Sequence, residues 1–400
     1  MIQRQEYMDS LISFRDKQLI KVVTGIRRCG KSTLFELFQE NLRSDGVSNK
    51  QIISINLEEG EYEEIENYKQ LYNFVNEKIV PDRKNYIFLD EVQRVTEFQK
   101  AVDSLYVKKN CDVYITGSNA HLLSGELATL LSGRYIEIKM LPLSFREYTS
   151  FFSDDTNLER LYTNYIQNSA FPYALEIDKP KDRRLYLQSI YDTIVLKDII
   201  ARKRFPDTAM LKSVTRFMFD NIGNLCSNKK IADTMTSAGR KIAVHTVESY
   251  LTALTDSFIL YQIGRYDIKG KQYLKTGDKY YVADIGLRYA LLGTKKADMG
   301  HILENVVFLE LYRRGYEIHI GKVGNAEVDF IAIGDEGEEY YQVAYTVIDT
   351  DGSTLRRELA SLEAIKDHNP KYLLTMDNTP FTSYNGIKQV NVLDWLLSPH

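Results

Sequence analysis

An eight-residue segment, Gly25–Ser32, reads GIRRCGKS and lies between the apolar run QLIKVVT and the helical pattern KSTLFELFQENLRS. It matches G-x-x-x-x-G-K-[ST], a loop that joins a buried strand to a helix in phosphate-binding proteins. Its glycines let backbone N–H groups face phosphate oxygens, its lysine bridges the terminal phosphates, and its hydroxyl binds Mg²⁺. The sequence therefore predicts a nucleoside-triphosphate site, made by Gly25, Ile26, Arg27, Arg28, Cys29, Gly30, Lys31, Ser32 and Thr33.

Two adjacent carboxylates, Asp90 and Glu91, end a second apolar run, NYIFLDE. We predict that Asp90 holds the Mg²⁺ through water together with Ser32, and that Glu91 acts as general base on the attacking water. A kinase that phosphorylates a small molecule has less need of the second carboxylate. The pair therefore favours hydrolysis, with ATP and Mg²⁺ as the bound cofactors.

A third apolar run, VYIT, ends in the polar stretch GSNAHLL. In an ATPase sheet whose strand order departs from chain order, this strand lies between those carrying Lys31 and Asp90. Ser118 or Asn119 would then lie near the γ-phosphate, where an amide can orient the attacking water. Further along, Arg134 follows a flexible glycine, and its charge can stabilise the transition state in its own subunit or in a neighbour's. The alternative for this arginine is an ordinary surface salt bridge.

Composition restricts the remaining possibilities. A chain of 400 residues exceeds what one hydrophobic core usually organises, so two to four domains are expected. A net charge of −4 argues against a nucleic-acid-binding protein that is basic throughout. The three cysteines form no CxxC pair, the N-terminus has no signal-peptide pattern, and no run of about 18 apolar residues occurs. We therefore expect a soluble cytoplasmic protein with no membrane partner.

The order of apolar patterns predicts four regions in an α/β protein. Strands alternate with helices over 1–150, which predicts a P-loop core with a parallel sheet covered on both faces. Residues 151–206 read as a helical, strandless lid or linker. Residues 207–290 read as three helices and a hairpin with IKGK at its tip, the pattern of a winged helix-turn-helix. Residues 291–400 begin with a helix and continue as a second α/β domain.

The stretches GIRRCGKSTL, FLDEVQ, TGSNAHLLSGELATLLSGRY and LPLSFREY together resemble a bacterial and archaeal branch of AAA+ ATPases with a C-terminal domain of unknown function. The resemblance continues through FPYAL, YDTIVLKDIIAR, YYVADIGLRYALLG, ENVVFLELYRRGYEIHIGK, EVDFIA and YYQVAY. It implies an ATP-hydrolysing core, a helical segment, a winged helix and a terminal domain folded like restriction endonucleases. The phosphate loops of this branch carry paired arginines, which Arg27 and Arg28 match. These two side chains could meet an acidic neighbour at a subunit boundary, or simply face solvent.

The resemblance to endonucleases implies a metal site with the pattern Glu…Asp…(Asp/Glu)-x-Lys. Glu304 lies in the predicted helix and Asp329 in the strand EVDF. The third element, YQVAY, has Gln342 where a carboxylate belongs and Ala344 where the lysine belongs. Lys322 on a neighbouring strand could supply the missing cation. We therefore expect a catalytically degenerate domain that is retained for nucleic-acid or protein contact.

The middle third of the chain is basic, although the whole chain is acidic. Residues 179–204 contain eight Lys or Arg and three Asp or Glu, and residues 229–279 contain nine and five. Phosphate contacts need such a patch. In a winged helix the reading helix and the wing would contact DNA, here through His245, Thr246, Ser249, Lys269 and Lys271. Against this, winged helices also bind proteins, and Glu248 in the predicted reading helix repels phosphate.

These observations support one main function and two alternatives. The main prediction is an ATP-binding, Mg²⁺-dependent hydrolase that couples turnover to remodelling or binding of DNA, as a homo-oligomer. The first alternative is a nucleotide-dependent signalling switch that acts on a protein partner. The second is an ATP-gated nuclease.

Overall fold

The structure is a computed structural model, which describes residues 2–120, 131, 133–200, 203, 205–293, 298–379 and 382–399. The side chains of Lys197, Lys275 and Thr276 lie outside this description. The chain forms two compact units, Met1–Pro142 with Asp256–Phe258, and Leu143–Thr255 with Ile259–His400. The first unit therefore ends a few residues before the predicted boundary at 150.

The first unit is built on a five-stranded parallel sheet. Its strands are β1 (Ile20–Thr24), β2 (Ile52–Asn56), β3 (Asn85–Asp90), β4 (Cys111–Gly117) and β5 (Tyr135–Lys139). Their order across the sheet is β2-β3-β4-β1-β5, and every adjacent pair is parallel. The α/β class and the position of β4 between β1 and β3 are as predicted. The helices are α1 (Gln5–Phe14), α2 (Lys31–Ser44), α3 (Tyr68–Lys78) and α4 (Phe98–Tyr106).

The central strands are continuous apolar runs because both faces of the sheet are covered. Every residue of β1, β3 and β4 is buried, as expected for strands inside a doubly covered parallel sheet. One buried polar pair interrupts this apolar core. The Lys21 ammonium bonds the Asp112 carboxylate on the adjacent strand, and both side chains are almost fully buried. Tyr114 donates to the same carboxylate at 2.8 Å.

The second unit begins with helices. These are α5 (Phe145–Phe151), α6 (Leu158–Asn168), α7 (Pro180–Thr193), α8 (Thr208–Asp220), α9 (Asn228–Ser237), α10 (Val244–Asp256) and α11 (Ile285–Leu292). A π-helical segment, Ile194–Ile200, continues α7. Gly286 on α11 packs directly against the backbone of Ser169. A Cβ at position 286 would lie 2.3 Å from the Ser169 backbone nitrogen. Where the structure describes residues 151–206, they form helices joined by turns and contain no strand.

The hairpin predicted as a wing belongs to a larger sheet. Its strands are β6 (Leu260–Asp267) and β7 (Gln272–Val282), and they are followed by β8 (Glu317–Val323), β9 (Ala326–Gly334), β10 (Gly337–Ala344), β11 (Lys371–Thr375), β12 (Thr382–Tyr384) and β13 (Ile387–Asn391). The sheet order is β12-β13-β11-β10-β9-β8-β6-β7. Residues Arg265–Asp267 of β6 pair in parallel with Ile320–Lys322 of β8. A single sheet thus crosses the predicted boundary between 290 and 291, which distinguishes this hairpin from a free-standing wing.

The last part of the chain contains a helix, three strands, a second helix and further strands. Helix α12 (Met299–Arg313) precedes β8, β9 and β10, and α13 (Ser353–Glu363) lies between β10 and β11. β9 pairs antiparallel with β8 and with β10, and β10 pairs in parallel with β11. Helix α14 (Val392–Leu397) ends the described chain. The assignment of this domain to the endonuclease fold stays a prediction. Among the described residues, no helix combines the length and apolar character needed to span a membrane.

Candidate functional site

The loop between β1 and α2 has a backbone that only glycine accommodates at its first position. Gly25 has a φ of +151°, and a Cβ there would lie 2.1 Å from the backbone oxygen of Met140. Gly30 has a φ of +105° and precedes the first residue of α2, Lys31. The Lys31 ammonium lies over the loop and donates to the carbonyls of Gly25 at 3.0 Å and Ile26 at 3.2 Å. The loop is thus a closed turn at a helix N-terminus, the geometry that binds phosphate.

Asp90, at the end of β3, is held by two hydroxyls. It accepts hydrogen bonds from Ser32 at the start of α2 and from Thr116 on β4. Burial raises the pKa of Asp90, and these two hydrogen bonds oppose that shift. The carboxylate and the Ser32 hydroxyl offer the hard oxygen ligands that Mg²⁺ prefers, so the residues present fit this metal.

Glu91 follows Asp90 in an unusual backbone conformation. Its φ of +52° lies in the left-handed region, which residues with a side chain seldom adopt and which recurs at functional sites. Its carboxylate accepts hydrogen bonds from Ser118, at 3.1 Å, and from Gln93. One of its oxygens lies 3.9 Å from the Lys31 ammonium. The turn therefore directs Glu91 toward the lysine of the phosphate loop.

The end of β4 brings three polar residues to the same place. Ser118 and Asn119 are both buried, and Ser118 contacts Glu91 as described above. Thr116, which sequence reasoning missed, donates to Asp90 and accepts the Glu91 backbone N–H at 2.9 Å. The pairing of β3 with β4 explains its position. Leu89 pairs with Ile115, so one residue further along these parallel strands Asp90 lies beside Thr116.

Arg4 is a second residue near the site that sequence reasoning missed. It is buried, and its guanidinium donates to the carbonyls of Cys29, at 3.0 Å, and Leu141, at 2.6 Å. The ring of Tyr7 lies 4.8 Å from the guanidinium, and its hydroxyl accepts the Leu141 backbone N–H at 3.1 Å. Arg4 therefore joins the phosphate loop at Cys29 to the segment at Leu141. No local motif marks it, since its partners are 25 and 137 residues away along the chain.

The remaining loop residues differ in exposure. Arg27 is largely buried and bonds Glu58 of the same chain at 2.5 Å, so an acidic partner for it lies within the subunit. Arg28 is exposed and has a φ of +69°. Cys29 is fully buried, and burial raises the pKa of its thiol. Of the two arginines, Arg28 is therefore the one whose exposure suits contact with a neighbouring subunit.

Arg134 lies away from the phosphate loop of its own chain. Its backbone oxygen accepts the N–H of Ile20, the first residue of β1, whereas the phosphate loop follows the last residue of that strand. Its guanidinium pairs with Asp103 and lies 5.5 Å from the ring of Tyr106. The predicted role within its own subunit therefore does not match this geometry, because Arg134 lies at the amino end of β1 and the phosphate loop follows its carboxyl end. A role toward a neighbouring subunit stays a prediction.

In the second unit, Glu304 and Asp329 lie on either side of a buried lysine. The Lys279 ammonium of β7 is 2.8 Å from Glu304, 2.9 Å from Glu327 and 3.6 Å from Asp329. Burial alone would lower the pKa of Lys279, but the three carboxylates outweigh it and the net shift is upward. Lys279 is a third residue that the sequence interpretation missed, since the cation was sought on Lys322 or at Ala344.

Gln342 takes part in a hydrogen-bond network that a carboxylate could not make. Its amide nitrogen donates to Glu358 of α13 at 2.8 Å. Its oxygen accepts from the Ser361 hydroxyl at 3.1 Å and from the Asp329 backbone N–H at 3.3 Å. Because a carboxylate has no N–H to donate to Glu358, glutamine at this position joins strand to helix.

The residues predicted to contact nucleic acid are mostly exposed. His245, Ser249, Lys269 and Lys271 are exposed and Thr246 is half-buried. His245 and Thr246 lie in the first turn of α10, as predicted. Within the basic segments, Lys279 is buried among carboxylates and so cannot meet phosphate. The side chains of Lys197 and Lys275 lie outside the description, as do Arg202 and Arg204.

The fold and the loop define a P-loop protein of the AAA ATPase class. The sequence model of the AAA domain matches residues 17–149, and that of a domain of unknown function (DUF8612) matches residues 159–298. An uncharacterized protein of Haemophilus influenzae is 41% identical over 99% of both chains. The uncharacterized protein MJ1544 of Methanocaldococcus jannaschii is 30% identical over 94% of this chain and 85% of its own. The chain therefore belongs to a family of AAA-type ATPases with a C-terminal region of unknown function.

A solved structure supports the fold. The Walker-type ATPase PABY2304 of Pyrococcus abyssi is 16% identical, with a TM-score of 0.50 over 73% of this chain and 96% of its own. At this identity the likeness concerns the fold alone.

Proposed function

We propose that the protein binds ATP and hydrolyses it in a Mg²⁺-dependent reaction. The observation that carries this proposal is the convergence of Lys31, Asp90 and Glu91 from the carboxyl ends of β1 and β3, with Ser118 between them at the end of β4. A cation for the terminal phosphate, a metal-binding acid and a second acid are the groups that hydrolysis of a phosphoanhydride needs.

Each residue has a distinct task. Lys31 would exchange its bonds to the loop carbonyls for bonds to the terminal phosphates, and Ser32 and Asp90 would hold the metal. When bound with the nucleotide, Mg²⁺ neutralises charge on the phosphates. Glu91 accepts a proton from the attacking water, and Asn119, the residue after Ser118, orients that water. Arg4 keeps the loop in place through Cys29.

Glu91→Gln is the variant that tests this assignment. It should bind ATP as the unchanged protein does and lose at least about 100-fold of its turnover, because the base is removed and the loop is intact. Lys31→Ala should lose binding as well. Glu40→Gln, an exposed position on α2, is the matched control and should keep full turnover.

Titration with a fluorescent ATP analogue and phosphate release in steady state measure the two properties separately. Full turnover in both Lys31→Ala and Glu91→Gln would show that this site is not the hydrolytic one.

A second proposal concerns the output of hydrolysis: turnover is coupled to binding of DNA by the second unit. The supporting observation is a set of exposed basic side chains on α9 and in the turn before α10, namely Lys229, Lys230, Arg240 and Lys241. Exposed His245 and Ser249 on α10 adjoin this set in sequence. Charge of this kind attracts the phosphate backbone without reading its sequence.

Double-stranded DNA should raise the ATPase rate, and this stimulation should fall with rising salt. A triple variant, Lys229→Glu, Lys230→Glu and Lys241→Glu, should lose stimulation and keep the basal rate. Lys50→Glu, Lys84→Glu and Lys109→Glu in the first unit make the control of equal charge. Stimulation that persists in the first triple variant would contradict this interface, and a protein partner would then be the better reading.

A further inference from the structure

Lys279 occupies the centre of a carboxylate cluster in the second unit. Its ammonium contacts Glu304 on α12 and Glu327 and Asp329 on β9. The side chain is 5% exposed, and Glu304 is equally enclosed. Tyr281, two residues further along β7, donates to the same Glu304 oxygen at 2.6 Å. The positive charge is therefore held by carboxylates from two elements, α12 and β9.

An endonuclease-like domain would hold its metal between the carboxylates of the helix and of the central strand, here Glu304 and Asp329. The residues present do not fit a metal ion there. A Mg²⁺ ion lies about 2.1 Å from each ligand oxygen, and the Lys279 nitrogen already lies 2.8 Å from Glu304 and 3.6 Å from Asp329. A divalent ion bound to the same oxygens would be in close like-charge contact with a fully enclosed ammonium.

Access does not explain the mismatch. A cleft of about 330 Å³ reaches Glu304 and Asp329, and Gln342 and Glu358 also line it. An ion from solvent could enter by this cleft if the carboxylates were free. The ammonium comes from β7, an element outside the metal-site pattern expected for such domains, so the cation is supplied by the chain itself.

We propose that Lys279 takes the place of the metal ion in the C-terminal domain, so that the Glu304–Asp329 site is a permanently filled cation site that neither binds divalent metal nor cleaves nucleic acid. The carboxylates are kept because they balance the lysine, and the lysine joins β7 to α12 and β9. This inference is independent of the ATPase proposal, since the two sites lie in different units.

Binding of Mn²⁺ alone tests the proposal directly. The full chain carrying Asp90→Asn removes the metal-binding acid of the first unit, and free Mn²⁺ is then followed by its electron paramagnetic resonance signal. This protein should bind no Mn²⁺ at millimolar concentration. Adding Lys279→Ala, which frees both charge and volume, should create one Mn²⁺ site, and adding Glu304→Gln as well should abolish it. A folded Lys279→Ala chain without a Mn²⁺ site would overturn the proposal.

Thermal stability gives a second test that needs no metal and distinguishes the two cases by sign. In an unfilled metal site, Glu304→Gln relieves repulsion between carboxylates and raises the melting temperature. In a lysine-filled site it leaves the buried ammonium underpaired and lowers the melting temperature. We expect Glu304→Gln to lower the melting temperature. The double variant Glu304→Gln with Lys279→Met should lose less stability than the sum of the losses in the two single variants.

Three further results would overturn the proposal. One is that the Asp90→Asn chain binds Mn²⁺ and loses this binding when Glu304→Gln is added. Another is a higher melting temperature for Glu304→Gln. The third is Mn²⁺-dependent nicking of supercoiled plasmid that is lost in Asp329→Ala.

Discussion

At the scale of single residues, polar side chains in this protein link groups from separate strands. The Thr116 hydroxyl donates to Asp90 and accepts the backbone N–H of Glu91. One hydroxyl thus positions both the metal-binding acid and the turn that carries the base. In the second unit, Asp284 likewise binds two separate segments. It caps α11 by accepting the Leu287 N–H at 2.6 Å, and it accepts the Ala170 N–H at 2.7 Å.

Asp284 gives the protein a pH-dependent stability. Burial raises the pKa of Asp284 to about 6, although its hydrogen bonds lower it, whereas the unfolded value is about 3.9. A raised folded pKa contributes stability that is fully present below about pH 4 and is lost as the pH rises through about 6. In Asp284→Asn this contribution does not titrate. The unfolding free energy of the unchanged protein relative to this variant should fall by up to about 3 kcal/mol between pH 4 and 7.

Urea unfolding at pH 4, 5, 6 and 7 measures that difference. Asp233→Asn, at an exposed position of α9, is the control and should show no such trend. A difference that rises with pH would mean that the Asp284 carboxyl has a lowered pKa in the folded protein.

At the scale of elements, the hairpin β6–β7 connects the helices of the second unit to its last α/β part. β6 pairs with β8, and Asn305 of α12 binds both backbone groups of Val282 on β7. Its oxygen accepts the Val282 N–H at 2.8 Å, and its amide donates to the Val282 carbonyl at 2.9 Å. Helix and strand are thus joined by polar contacts in an environment where Asn305 is fully buried.

Asn305→Ala should destabilise the second unit by about 2–4 kcal/mol, because it leaves a buried donor and a buried acceptor without partners. Urea unfolding monitored by far-ultraviolet circular dichroism provides the measurement. Gln167→Ala, on the exposed side of α6, should cost less than about 0.5 kcal/mol. Equal losses in the two variants would mean that the α12–β7 contact contributes nothing specific.

Sequence reasoning reaches furthest where the residues of a site lie close together in the chain. The glycines and Lys31 lie within a few residues of each other, and Asp90 and Glu91 are adjacent, so their spacing alone predicted the loop and the acids. Lys279 was missed because its partner Glu304 is 25 residues away and reaches it only through packing of α12 on β7. The hairpin shows the same limit. An alternating apolar pattern with a turn predicts that β6 pairs with β7, but it does not indicate that β6 also pairs with β8.

At the scale of the whole molecule, the two compact units differ in how closely their ends agree with the ends of the matched sequence families. The AAA domain match at 17–149 and the compact unit ending at Pro142 nearly coincide. The match to the domain of unknown function ends at 298, within a unit whose sheet continues to β13. The second unit should therefore behave as one folding entity.

Truncation tests this expectation. A fragment of residues 291–400 should be unfolded, because it lacks the β6 partner of β8 and the Lys279 charge that balances Glu304 and Glu327. A fragment of residues 143–400 should fold and unfold in one transition. Circular dichroism and urea titration distinguish the two. A cooperative unfolding transition in the shorter fragment would show that the hairpin is dispensable.

Assembly is the second whole-molecule property to test, through Arg134. If this arginine acts on the nucleotide of a neighbouring subunit, Arg134→Ala and Glu91→Gln should each be inactive alone. An equal mixture should recover turnover, because one type of boundary combines an intact arginine with an intact base. Mixing Arg134→Ala with Lys31→Ala provides a further combination with the same expectation. Arg134→Ala that is active by itself would leave only the ion pair with Asp103.

The Lys279 cluster also determines how this protein responds to ionic strength. Added salt shortens the screening length from about 30 Å at 0.01 M to about 3 Å at 1 M, and this weakens pairs that lie in solvent. Lys100 with Glu97 is such a pair, since each side chain is more than 40% exposed. The Lys279 and Glu304 side chains are only 5% and 6% exposed, so added salt screens their attraction much less than it screens an exposed pair. Concentrated salt should therefore weaken exposed ion pairs such as Lys100 with Glu97 far more than the buried pair of Lys279 and Glu304.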